Sequence, residues 1–182
     1  MFHFTRELML LILILFLGAC QQQDTGLNPG NHPPRIELPD LEGKKHSLED
    51  YRGKVVLLNF WASWCLPCVA ELPALQNLYD QLRDSGFVVI AVGIDDDEAS
   101  LAEFKRRFGL SFPVLVDKSG TVKSRYRISG VPESFVLDSE GKLVLFPDPQ
   151  SDVPSIKIFG PREWSSPDMV ARIKAFIDQE GR

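Results

Sequence analysis

Two largely apolar runs, Val55–Trp61, interrupted only by Asn59, and Phe87–Ile94, limit most tightly what this chain can become. Neither alternates with period two, so each reads as a strand buried on both faces. If such strands lie parallel, they need a crossover of about a dozen residues or more, usually a helix. The segment from about Cys65 to Arg83 supplies one. A second helix is expected over Glu98–Phe108, with Leu101, Phe104 and Phe108 on one face and Gly109 as its stop. Three more strands are expected at Pro113–Asp117, Glu133–Asp138 and Lys142–Phe146, the last two joined through Ser139-Glu140-Gly141 as a hairpin. Upstream, Ile36–Leu38 and Lys45–Leu48 flank a Gly-containing loop and read as another hairpin. A final helix opens near Ser166-Pro167-Asp168 and carries the stripe Met169, Val170, Ile173, Phe176, Ile177. Between them, Pro147–Pro161 holds four prolines around the short apolar patch Ile156–Phe159 and reads as an insertion. Buried strands alternating with helices, then an antiparallel hairpin, predict an α/β fold with a mixed central sheet flanked by helices.

The first twenty residues are a different material. Leu8–Leu17 is continuously apolar, follows Arg6 and Glu7, and leads into Gly18 and Ala19. Ten residues are too few to cross a bilayer as a helix, which takes about 20. The length and flanks suit the apolar region of a secretory signal. Leu17-Gly18-Ala19-Cys20 resembles the bacterial lipobox, in which the cysteine is lipidated and becomes the first mature residue. The expected organisation is therefore a signal peptide over 1–19, a lipidated and flexible tether over 20–34, and one folded domain over 35–182.

Removing Cys20 from the count leaves Cys65 and Cys68, spaced C-x-x-C, in an oxidising compartment. They fall directly after a buried strand, at the opening of a helix. Unpaired N–H groups and the positive end of the dipole there favour a thiolate on Cys65. Cys68, one turn further in, is placed to attack a mixed disulfide formed at Cys65. Pro67 is tolerated because first-turn N–H groups have no helical acceptor. Half a zinc site would need a second ligand pair, and the histidines are only His3, His32 and His46. A purely structural disulfide closing so small a loop would restrain little of the unfolded chain. The net charge of −5 gives no footprint for nucleic acid.

The run Trp64-Cys65-Leu66-Pro67-Cys68, with a later Val131-Pro132, resembles the thioredoxin superfamily. The extended W-C-x-P-C-x-x-E-x-P of Trp64–Pro73 and the segment Gly130–Asp138 are similar to its membrane-tethered TlpA/ResA/CcmG branch. The resemblance covers about residues 35–146 and the last helix. It implies a thioredoxin-like fold with an N-terminal hairpin extension and a redox-active Cys65–Cys68 disulfide with no other cofactor. It also implies a cis Val131–Pro132 bond beside the cysteines, with the Val131 backbone pairing with an extended substrate segment. Trp64, Leu66 and Pro67 are expected at the substrate rim. Asn59 stands where thioredoxin has a buried aspartate that handles protons, so another acid is needed. Glu71 is the first candidate, because positions 75, 78 and 82 on its helical stripe are leucines and burial would raise its pKa. Asp96 in the acidic run Asp95–Glu98 is a second, though acids before a helix also serve as caps.

The implied activity is thiol–disulfide exchange on disulfide-containing envelope proteins, with re-reduction by a membrane dithiol donor and a tether through the lipid on Cys20. Leu66-Pro67 lacks a histidine that would stabilise the thiolate, which points to a reductant, with cytochrome c maturation as the branch's best-known task. A monomer is expected. Two rivals use the same fold. A peroxiredoxin pattern, P-x-x-x-T-x-x-C, meets Leu58 and Ala62 instead of proline and threonine. A copper-delivery module would carry C-x-x-x-C and a later histidine, and no histidine follows His46.

Overall fold

The computed structural model describes residues 26–94, 97–151 and 153–180. The signal segment, Cys20 and Asp96 lie outside them. The elements run β1 (Glu37–Pro39), β2 (Lys45–Ser47), β3 (Val55–Trp61), α1 (Leu66–Leu82), β4 (Phe87–Gly93), α2 (Glu98–Phe108), β5 (Val114–Val116), α3 (Thr121–Arg125), β6 (Glu133–Leu137), β7 (Ile158–Phe159) and α4 (Pro167–Glu180). β1 and β2 form a separate hairpin, and the other five strands form one sheet ordered β5-β4-β3-β6-β7. β3, β4 and β5 are parallel, while β6 runs antiparallel to both β3 and β7. This is the mixed thioredoxin-like sheet expected from the sequence, with an N-terminal hairpin.

The two apolar runs are explained by two cores, one on each face of the sheet. Val55, Leu57 and Trp61 of β3 join Val89 and Ala91 of β4 against the buried faces of α1, α2 and α4. Val56, Leu58 and Phe60, with Val88, Ile90 and Val92, face Ile36, Val122, Tyr126 and Phe135. Every residue of β3 and β4 is buried, so alternation has no polar face to record. Asp40 pins the hairpin by accepting from the N–H groups of Glu42 and Lys44, and its other oxygen lies 2.7 Å from His46 Nε2.

Two expectations fail. Lys142–Phe146 is not a strand: Leu143 and Phe146 make only isolated bridges, to Leu137 and Ser155. The turn forms as expected, with the Gly141 N–H on the Asp138 carbonyl. Leu143, however, spends its own N–H and C=O on Asn31 and Gly30, so residues 30–31 are laid along the domain rather than hanging as a tether. The sheet takes its outer strand instead from Ile158–Phe159, inside the supposed insertion. The short α3 was not foreseen. Its five residues show no period; Val122, with Tyr126 just beyond its end at i+4, plugs it onto the sheet.

Candidate active site

Cys65 is the N-cap of α1, and its Sγ accepts from the Cys68 N–H at 3.2 Å. The two cysteines form a disulfide with a Cα–Cα distance of 5.3 Å. Pro67 sits in the first turn, where its missing N–H goes unused. Cys65 is 5% exposed and Cys68 fully buried, which keeps the expected order of access. Trp64 and Leu66 stand out at 69% and 82%, leaving an apolar rim beside the sulfur.

The Val131–Pro132 bond is cis. Val131 turns its carbonyl to 3.4 Å from Cys65 Sγ, and the Pro132 carbonyl accepts from the Gly160 N–H at 2.9 Å. The loop before the proline is held by Glu133, which sequence reasoning overlooked. One of its oxygens accepts from the N–H and hydroxyl of Ser129 and the N–H of Gly130, at 3.1, 2.8 and 3.1 Å. Its other oxygen pairs with Lys157 Nζ at 2.9 Å. Burial alone would raise the pKa of Glu133, but Lys157 and Ser129 outweigh it and hold the group below its ordinary value. Lys157 also donates to the carbonyl of Arg127, a non-glycine residue at φ 49, and so ties the end of α3 to the same loop. The available signal was a lone carboxylate inside the apolar run from Val131 to Leu137.

Glu71 lies one turn beyond Cys68 on the same face of α1, and is 3% exposed. Its Oε1 accepts from Asn59 Nδ2 at 2.9 Å, and its Oε2 accepts from the Arg162 N–H at 3.1 Å and Trp164 Nε1 at 3.0 Å. Burial pushes its pKa up to about 7, against the pull of these three donors. Asn59 gives its second amide hydrogen to Ser134 Oγ, directly opposite on β6, and its own Oδ1 is buried without a partner among the described residues. A pocket of about 260 Å³ between α1 and the 147–163 excursion has Glu71 in its wall, with Pro67, Ala70, Ala74 and Gln150 around it. The structure thus brings Cys65, Cys68, Glu71, Val131 and Pro132 together. Among the described residues, no group of three His, Cys, Asp or Glu side chains could hold a metal ion.

A disulfide that caps a helix at the end of a mixed sheet, facing a cis-proline loop, defines a thioredoxin-type dithiol centre. Residues 29–146 match the model of the AhpC/TSA family. Thiol-disulfide oxidoreductase ResA of Geobacillus thermodenitrificans (strain NG80-2) is 36% identical over 143 residues, 76% of this chain and 82% of its own. ResA of Bacillus subtilis (strain 168) is 34% identical over 146 residues, 78% and 82% of the two chains. A Chlorobium tepidum protein assigned as thiol:disulfide interchange protein DsbE superposes with a TM-score of 0.71 at 30% identity, over 84% of this chain and 99% of that one. The chain belongs to the AhpC/TSA family of the thioredoxin superfamily and, within it, to the ResA-like thiol–disulfide oxidoreductases.

Proposed function

We propose that this oxidoreductase works outside the cytoplasm, tethered by a lipid on Cys20, and reduces disulfides in envelope proteins, apocytochrome c among them. The observation that carries the chemistry is the Cys65–Cys68 disulfide capping α1, with the Val131 carbonyl 3.4 Å from Cys65 and Glu71 buried one turn in. In the reduced enzyme the Cys65 thiolate attacks a target disulfide. One new S–S bond forms, and one target sulfur leaves as a thiolate. Cys68 gives its proton to the Glu71 carboxylate and attacks Cys65 Sγ, releasing the second target thiolate. Two electrons have passed to the target, and the enzyme is left oxidised, the state of the structure. A membrane dithiol donor reverses the exchange at the enzyme.

Each feature supports a step. The Cys68 N–H at 3.2 Å is a donor for the Cys65 thiolate. The cis-proline loop offers the Val131 backbone for pairing with an extended substrate segment, and Trp64 and Leu66 an apolar rim. A carboxyl with a pKa near 7 can both take and return a proton at neutral pH. Rotation of the Asn59 amide would present its spare Oδ1 to the protonated acid, so this residue serves Glu71 in either state. The absence of a histidine between the cysteines supports the reducing end of the known range, about −270 to −120 mV.

The test is Cys68→Ser in cells, which removes the resolving sulfur. Envelope proteins carrying disulfides or paired cysteines should be captured on Cys65, and an empty catch counts against exchange. Peroxide turnover by the purified protein, in place of insulin reduction, would favour the peroxiredoxin rival. Mass analysis of the mature N-terminus tests the lipid on Cys20.

A further inference from the structure

Glu71 draws two of its three hydrogen bonds from Arg162 and Trp164, which directly follow the Pro147–Pro161 segment that reads from the sequence as an insertion. β7 brings that segment back beside the cis-proline loop, pairing Phe159 with Glu133 and the Gly160 N–H with the Pro132 carbonyl. At Gly160, φ 78, the chain turns across the first turns of α1. Arg162 then aims its main-chain N–H at Glu71 Oε2, and Trp164 adds its indole N–H to the same oxygen. The Arg162 guanidinium is turned away from the acid. Its Nε donates to Asp148 Oδ2 at 2.7 Å, and a terminal nitrogen reaches the carbonyls of Phe159, Gly160 and Pro161 at 2.8, 3.3 and 3.0 Å. Asp148 is itself buried, 5% exposed.

We infer that the 147–164 excursion is a positioning device for the active-site acid: the Asp148–Arg162 pair braces the turn from which Arg162 and Trp164 hold the Glu71 carboxyl. The inference rests on the reading of Glu71 as the proton carrier for Cys68. The physical reason lies in which donors are used. A guanidinium paired directly with Glu71 would favour the charged form strongly and leave a poor proton acceptor. Asp148 draws that cation off, so Glu71's hydrogen bonds come from neutral donors that orient the carboxyl, and the guanidinium acts on it only through its charge, leaving it able to titrate. The titratable and charged groups near Glu71 are Cys68 and Cys65 at the start of α1, and Arg162, Asp148 and Glu163 from the excursion. β3 presents the neutral Asn59, with Ser134 of β6 behind it.

The test follows the Glu71 carboxyl carbon by NMR in the full oxidised chain labelled in glutamate, with Glu71→Gln to assign the resonance. Trp164→Phe should raise the titration midpoint by about one pH unit, because the charged form loses a donor, whereas Asp148→Asn should lower it by about as much, because the freed guanidinium and the loss of a neighbouring negative charge both favour the charged form. Arg162→Lys, which keeps a cation but loses the Nε contact with Asp148, should also lower the midpoint and replaces Asp148→Asn if that variant does not fold. Midpoints within about 0.3 unit of wild type in variants with native circular dichroism would overturn the inference. A Glu71→Gln enzyme whose exchange rate keeps the wild-type pH profile would instead defeat the proton-carrier reading, while the carboxyl midpoints still report on the brace.

Discussion

Replacing Glu71 by glutamine should change how stability depends on pH, and the size follows from the burial of the carboxyl. Its pKa rises from 4.5 to about 7 because desolvation outweighs the donors Asn59, Trp164 and Arg162. At about 1.4 kcal/mol per pH unit, that rise corresponds to about 3 kcal/mol between the protonated and charged forms. Between these two values the folded protein holds a proton that the unfolded chain has released. The resulting stabilisation is therefore fully present below pH 4.5 and is lost as pH rises through about 7. Glutamine does not titrate and lacks this slope. The assay is urea unfolding of the oxidised wild type and Glu71→Gln from about pH 4.5 to about 8.5, with linear extrapolation at each pH. Other acids titrate alike in both proteins, so the difference between the curves isolates position 71. Wild type should lose about 3 kcal/mol relative to the variant across this range, with no further change above about pH 8. A difference constant to within about 0.5 kcal/mol would refute the reasoning, because the donors would then compensate fully for burial.

Other perturbations read other parts of the structure. Trp64→Ala, at a largely exposed site, should alter urea stability by no more than about 0.5 kcal/mol, yet slow reduction of a protein disulfide more than that of a small one. Equal slowing of both would remove Trp64 from the rim. Lys157→Met leaves the buried Glu133 carboxylate without its cation and should cost about 3–5 kcal/mol in urea unfolding. Adding Glu133→Gln should recover part of that loss, whereas strictly additive losses would mean that the pair is not coupled. Gly93→Ala sets a Cβ 2.4 Å from Leu101 Cδ1, where β4 meets α2, and should lower stability by about 1–3 kcal/mol. A neutral result would mean that Leu101 moves aside freely.

Local chemistry, by itself, determined the centre of this protein. A residue run with no polar face, Val55–Trp61, demands two covering layers wherever it lies, and a C-x-x-C opening a helix places its first sulfur at unpaired N–H groups. These properties belong to neighbours in sequence, so the central strands, α1, α2, α4 and the redox pair were legible before any contact was known. Glu71 was legible for the same reason, since its helical stripe is otherwise leucine. The partners of Glu71 were not. Arg162 and Trp164 are more than ninety residues away in sequence, and nothing local distinguishes a Pro-rich segment that docks from one that wanders. Lys142–Phe146 has the pattern of a strand and still lies along the end of β6, with the Val144 N–H on the Val136 carbonyl, but its pairing stops there and Phe146 turns to Ser155 instead. Ile158–Phe159, too short for a pattern, gained the sheet edge instead. Glu133 looked like an intrusion in a buried run until the fold supplied Lys157 and the Ser129 loop around it. Which of several possible partners satisfies a buried polar group depends on which distant segments meet there, and only the tertiary structure decides that.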